Sequence, residues 1–263
     1  SSGVPGAEFQ INAEDSSTQS LPRAAMLSNG NLIFVWQSST SGSAGDGSSN
    51  GVIGRVFTPA GVAVTGDLVL NSTTSGAQDE PDVAALSGGN FVAVWESPNV
   101  DGSGDAVVAR IFNSAGVAQS GEITVNTTTT GQQDNARVAV LTGGDFVVVW
   151  ESDDASSEGV YMQRFTAAGV PVGNETKVSD PISGAQSQAD ITALSDGGWA
   201  VTFSTSGLDG GSSTDVAIQR YDASGNRVDG NTLVNEETAS TQDSSAVAAL
   251  SNGRVAVVWD SNT

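Results

Sequence analysis

The sequence predicts an all-β fold: a β-propeller of four-stranded antiparallel blades, five-bladed, with the last blade closed by the N-terminal strand. Three observations carry this. One unit recurs five times, each unit holds four short strand patterns, and the two chain ends complement each other. The recurring unit shows in LSNGNLIFVWQS (27–38), LSGGNFVAVWES (86–97), LTGGDFVVVWES (141–152), LSDGGWAVTFST (194–205) and LSNGRVAVVWDS (250–261). Its anchors Trp36, Trp95, Trp150, Phe203 and Trp259 stand 59, 55, 53 and 56 residues apart. Gln19, Gln78, Gln133, Gln186 and Gln242 keep the same intervals, as do Asn12, Asn71, Asn126, Ser179 and Asn235. Three columns in step mean a repeat architecture, here one domain over 1–263 with repeats near 13–71, 72–126, 127–179, 180–235, and 236–263 plus 1–12.

The second repeat shows the elements in order. A first strand (82–86, DVAAL) is closed by a turn at Ser87-Gly88-Gly89. The second (91–95, FVAVW) is apolar at every position, as a strand covered on both faces must be. An Asp/Gly/Ser-rich loop leads to a third (107–112, VVARIF), and the turn 113–116 leads to a fourth (122–126, EITVN). β-Branched residues, Gly-rich turns and the lack of a 3.6-residue period exclude a helical repeat. Four strands in about 50 residues is the content of a propeller blade, and an array of β-sandwiches is the competing fold.

The ends support a ring. Residues 7–12 (AEFQIN) match a fourth strand with no first three before them, while 246–259 supply a first and second strand only. The third-strand arginine of the other repeats (Arg55, Arg110, Arg164, Arg220) has no counterpart in the fifth. The expected ring is therefore one strand short in its last blade, and an excerpt from a longer ring is the alternative. Ser1 in place of Met suggests a processed or excised piece.

Composition excludes several chemistries. The chain has no Cys, no His and a formal charge of −21 from 30 acidic and nine basic residues. Disulfides, thiol nucleophiles, Cys/His zinc sites and His-centred triads are all ruled out. Such a surface repels phosphate backbones and anionic lipid, so no nucleic-acid partner and no membrane insertion are expected. Carboxylates favour divalent cations instead.

The cadence GGNFVAVW–DGSGDAVVARIF–SAGVAQSGEITVN resembles repeats of large secreted bacterial proteins, the RTX-type exoproteins and adhesins. The resemblance implies a secreted or cell-surface, acidic, calcium-associated binding module, although the nonapeptides of the RTX calcium roll are absent. The main expectation is thus a non-enzymatic adhesion module, lectin-like, for a carbohydrate or protein ligand.

Ca²⁺ is the expected cofactor, held in the loops between second and third strands. In repeat two, Glu96, Asn99, Asp101, Ser103 and Asp105 place oxygens at alternate positions between glycines. Asp46, Ser48 and Asn50 are the repeat-one set, Glu151, Asp153, Asp154 and Glu158 the repeat-three set, and Asp209 and Asp215 the repeat-four pair. The competing reading is a solvated turn. The tryptophan column suggests sugar stacking, against which stands its place at the end of apolar strands, where it would pack blade on blade. Trp199 breaks the column and is left as a lone aromatic open to exposure. The innermost strands begin Arg23, Asp82, Arg137, Asp190 and Ala246, an alternation expected to pair neighbouring blades at one channel mouth. The alternative function is a polysaccharide-active glycoside hydrolase using Asp82 and Asp190 in the central cavity, against which the arginines count by lowering both carboxyl pKa values. A last partner is a missing strand supplied by another segment of the parent protein.

Overall fold

The computed structural model describes residues 8–14, 17–39, 46–153, 158–180, 182, 184–206, 208, 213–237 and 239–262. Among the described residues, eighteen strands form five antiparallel sheets. Blade one is β1 (Gln19–Met26), β2 (Leu32–Ser38), β3 (Gly51–Phe57) and β4 (Leu68–Val69); blade two is β5 (Asp79–Ala85), β6 (Phe91–Pro98), β7 (Asp105–Phe112) and β8 (Ile123–Thr124). Blade three is β9 (Gln133–Val140), β10 (Phe146–Asp153), β11 (Glu158–Phe165) and β12 (Pro171–Lys177). Blade four is β13 (Gln186–Ala193), β14 (Trp199–Ser206), β15 (Thr214–Tyr221) and β16 (Arg227–Leu233); blade five is β17 (Gln242–Ala249) and β18 (Val255–Ser261). The sheet order follows the chain, so the predicted propeller of four-stranded blades is what forms. The sandwich array is excluded.

The core lies between blades. The second strands β6 and β10 are apolar from Phe91 to Trp95 and from Phe146 to Trp150 because each is covered on both faces, and Trp95 and Trp150 are fully buried. Val52 and Val56 of blade one share a cluster with Phe91, Ala93 and Trp95 of blade two. Val107, Ala109 and Ile111 do the same with Phe146, Val148 and Trp150, and Val160 and Met162 with Trp199, Val201 and Phe203. In blades two and three the tryptophan column is therefore inter-blade packing. Trp199 corrects the expectation of a lone exposed aromatic. It is 1 % exposed and stacks on Tyr221 at 5.2 Å, taking the place of the Phe91–Phe112 and Phe146–Phe165 pairs.

Close packing fixes the third-to-fourth-strand turns. Gly116 has φ 75, and a Cβ there would meet Leu68 of the preceding blade at 2.0 Å; at Gly169 it would meet Ile123 at 2.3 Å. Only glycine meets both demands. Residues 8–12 form no β-ladder among the described residues, yet they lie in the place of a fourth strand. Arg55 Nη1 donates to Ile11 O at 2.8 Å, as Arg110 Nη1 donates to Leu70 O at 2.8 Å one blade on.

Candidate active site

Each inner strand carries one bulge, and it sits in the same place in all five blades. Its central residue is non-glycine with positive φ: Leu21 (51), Glu80 (50), Asn135 (53), Gln188 (54) and Ser244 (53). The ladder with the second strand breaks register there in every sheet. A bulge turns the strand locally and re-aims the side chains just beyond it. Two residues on stand Arg23, Asp82, Arg137, Asp190 and Ala246, and all five line one central cavity of about 610 Å³. The innermost strands thus begin at a channel mouth, in keeping with their charge alternation.

Four of the five bulges are held by a side chain of the preceding blade. Glu80 N–H donates to Gln37 Oε1 at 3.3 Å, Asn135 N–H to Glu96 Oε1 at 2.6 Å, and Gln188 N–H to Glu151 Oε1 at 2.6 Å. Ser244 N–H donates to Gln188 Oε1 at 2.8 Å. Left-handed backbone at a non-glycine residue costs on the order of 1–3 kcal/mol, so these bonds offset strain stored beside the cavity.

The charges are arranged differently from the expected Arg–Asp ring. Arg23 Nε lies 3.9 Å from Asp82 Oδ1. Otherwise the aspartates reach backbone: Asp82 Oδ2 accepts Val138 N–H at 2.9 Å, and Asp190 Oδ2 accepts Val247 N–H at 2.7 Å. Both bonds tie one blade to the next. Arg137 and Arg23 act to lower the Asp82 pKa, as expected, yet its net shift is upward. Burial raises it and outweighs the opposing hydrogen bond from Val138 and the charge of Arg137.

Sequence reasoning misses, as acid–base groups, two further carboxyls that hold these bulges. Burial pushes Glu96 and Glu151 each up to about 8, with the Asn135 and Gln188 amides acting in the opposite direction. Acidic neighbours add to the rise, Glu80 and Asp134 for Glu96, and Glu158 and Asp134 for Glu151. Asp134 is itself raised to about 6, by burial first and then by Glu158 and Glu80. Asp134, Glu151 and Glu158 present carboxyl oxygens within 4.8 Å of one another. Glu151 also lines the central cavity. A signal is present in the sequence, since Glu96 and Glu151 come directly after the tryptophan anchor where blade one has Gln37.

The residues expected to hold calcium make the following contacts. Asp101 Oδ1 accepts Ser103 N–H at 3.1 Å and its Oδ2 accepts Asn126 Nδ2 at 2.7 Å. Asp46 repeats this with Ser48 and Asn71, and Asn50 Nδ2 donates to Asp79. Asp105 Oδ2 instead accepts Gln132 Nε2 at 2.9 Å. Asn99, with φ 56, turns the loop and donates its N–H to Gly104 O. Asp101 and Asp105 thus bond to different partners, Asp101 to Ser103 and Asn126 and Asp105 to Gln132. Asp153 Oδ2 accepts Gln132 N–H, Asp215 is buried against Asn235, and Glu158 joins the cluster above. Asp154 and Asp209 lie outside the described residues.

No family model matches the sequence, and no curated protein matches it. Solved structures do match over nearly the whole chain. A protein of unknown function from Dyadobacter fermentans has a TM-score of 0.65 at 11% identity, covering 95% of this chain and 77% of its own. An endo-arabinase from Bacteroides thetaiotaomicron has a TM-score of 0.52 at 12% identity, covering 96% and 92%. A thermostable family-43 glycoside hydrolase has a TM-score of 0.52 at 11% identity, covering 96% and 86%. At such identities the likeness is one of fold. It gives no support to the RTX and adhesin resemblance. It also corrects two expectations, the non-enzymatic adhesion module and the absence of an enzyme, because glycoside hydrolases share this fold along its full length. No helix among the described residues is long and apolar enough to cross a membrane.

Proposed function

We propose that the chain is a polysaccharide-active glycoside hydrolase whose reaction takes place in the central cavity. The observation that carries this reading is the meeting, in one cavity, of a carboxyl raised to about 8 (Glu151) with Asp190 and two arginines. Glycoside hydrolysis needs two carboxyl groups in opposite protonation states, and burial of one is the usual means of holding it protonated at neutral pH. Glu151 is the proton donor. Asp190 is the base, fixed by the Val247 amide. Water oxygen bonds to the anomeric carbon as the glycosidic C–O bond breaks; the departing oxygen takes the Glu151 proton and Asp190 takes the proton from water. Arg23 and Arg137 supply hydrogen-bond donors for sugar hydroxyls. Asp82, with its raised pKa and its ties to Arg23 and Val138, holds the mouth in shape.

Action on a polymer too large to cross a membrane supports a location outside the cell or at its surface. Arabinan and xylan head the substrate panel. The test is product analysis after incubation with that panel, using wild type and Asp190→Asn. Oligosaccharide release by wild type, reduced at least 100-fold in Asp190→Asn with unchanged melting, supports the reading. Binding with no bond cleavage on any polymer overturns it.

A further inference from the structure

Guanidinium groups bridge the outer strands of neighbouring blades, and the interface between blades two and three is the exception. Arg55 Nη1 donates to Ile11 O and Arg110 Nη1 to Leu70 O, both at 2.8 Å. Blade four builds the same bridge from a different strand. Arg227 of β16 donates Nη2 to Val178 O at 2.8 Å and to Lys177 O at 2.7 Å. Leu70, Val125 and Val178 are matching positions, since each donates its N–H to a third-strand carbonyl, at Val52, Val107 and Val160.

Blade three has an arginine at neither position. Gln163 pairs with Val148 as Arg110 pairs with Ala93, so register puts Gln163 in the place of Arg110. Pro171 pairs with Phe165 as Arg227 pairs with Tyr221, so Pro171 stands in the place of Arg227. Arg164, which sequence spacing aligns with Arg110, sits one residue further on and turns to Asp145 at 2.8 Å. Gln163 stays within its own blade, donating Nε2 to Arg164 O at 2.8 Å and to Val172 O at 3.1 Å. No arginine among the described residues donates to Val125 O. A pocket of about 400 Å³ opens at this point, and Val125, Gln163 and Pro171 all line it. Tyr161 and Glu175 line it as well. The bonds that Glu175 makes to Thr127 and Thr128 all use Oε2, which leaves Oε1 as an acceptor. The Tyr161 ring already carries one cation, with Lys177 Nζ at 5.8 Å from its centroid.

We infer that this pocket binds the guanidinium of an arginine side chain presented by a cationic partner peptide or protein. The Val125 carbonyl takes the hydrogen bond that Leu70 and Ile11 take from Arg110 and Arg55. Glu175 Oε1 supplies the charged acceptor, and Tyr161 supplies an aromatic wall for the planar group. The fold closes on a guanidinium at the three neighbouring positions, so the shape and the acceptor are those of a site for one. A net charge of −21 steers such a partner toward the chain. The pocket shares no lining residue with the central cavity, and the inference is independent of the hydrolytic reading.

The test titrates a capped Gly-Arg-Gly peptide into the 263-residue chain, with capped Gly-Lys-Gly and neutral arabinan and xylan oligosaccharides as comparison ligands, and reads binding and melting. The expected result is saturable one-to-one binding with Kd on the order of 0.1–1 mM and a raised melting temperature. The lysine peptide should bind roughly fivefold or more weakly, because an ammonium lacks the planar fork. Gln163→Arg and Pro171→Arg fill the pocket from within, as Arg110 and Arg227 do in blades two and four. Each should melt at or above wild type and lose at least about tenfold in affinity for the arginine peptide. Pro171 is exposed, so its variant leaves the core untouched. Unchanged affinity in Pro171→Arg, or no saturation of wild type up to about 20 mM peptide, overturns the inference. So does binding of a neutral oligosaccharide that Pro171→Arg abolishes while the arginine peptide fails to bind, which would make the pocket an outer sugar site.

Discussion

Glu151 Oε1 accepts the backbone N–H of Gln188 at 2.6 Å, so a buried carboxyl of blade three holds the strained bulge that aims Asp190 of blade four into the cavity. One contact thus joins fold and chemistry. It sets the Asp190 position, and the burial it requires keeps Glu151 protonated.

The first prediction is a pH dependence of stability. Glu96 and Glu151 move from 4.5 to about 8 on folding, so the folded state holds protons the unfolded state has lost. Their stabilising contribution is complete below pH 4.5 and declines as pH rises toward 8. Melting should therefore be higher at about pH 5 than at about pH 8. Glu96→Gln, which keeps an acceptor for Asn135 without a charge, should raise melting at the upper end by several degrees and flatten the profile. A wild-type profile that rises across this range contradicts the prediction.

The second concerns the bulge column. Leu21 is the apolar member, 41% exposed, and no side chain among the described residues accepts its N–H. Leu21→Gly should melt higher than Leu21→Val, by about 2 kcal/mol at the extreme, because a β-branched side chain is the worst and glycine the best occupant of left-handed backbone. Equal melting of the two variants would mean that residue 21 is not left-handed in solution.

The third concerns the asparagine that closes each blade. Asn126 is 4% exposed; it accepts from Val107 N–H and donates to Thr128 O and Asp101 Oδ2. Asn126→Ala leaves a buried amide unpaired and should cost about 2–3 kcal/mol, or roughly 5–10 °C. Asp101→Asn, which keeps an acceptor oxygen, should cost much less. Chemical denaturation of both variants checks the order.

Much of this architecture is legible in the sequence because its cause is periodic. Trp95 and Trp150 recur at blade spacing and pack blade on blade, so one column in the sequence reports one contact in space. Trp199 misleads when it is taken alone. Paired with Tyr221, it occupies the column of Phe91 with Phe112, and the two substitutions together keep a stacked pair. The site is less legible. Register finds Arg23, Asp82, Arg137 and Asp190, but the partners of the aspartates are backbone amides in the next blade, and no side-chain pattern records those. The rise at Glu151 depends on burial together with Asp134 and Glu158 close beside it, a many-body effect that spacing does not encode. The Asp101 loop has the alternation of a calcium loop, and the bonds of Asp101 to Ser103 and Asn126 are contacts that spacing alone does not record.

The most direct test of the account compares wild type and Glu151→Gln on a cleavable polysaccharide and on an aryl glycoside of the same sugar. A proton donor matters for a poor leaving group and hardly at all for an acidic phenol. The account predicts that Glu151→Gln loses roughly 10²–10⁴-fold in kcat on the polymer, largely retains the aryl reaction, and no longer shows the wild-type fall in activity above about pH 8. Equal rates for both proteins on the polymer, or no cleavage of either substrate by wild type, would contradict it.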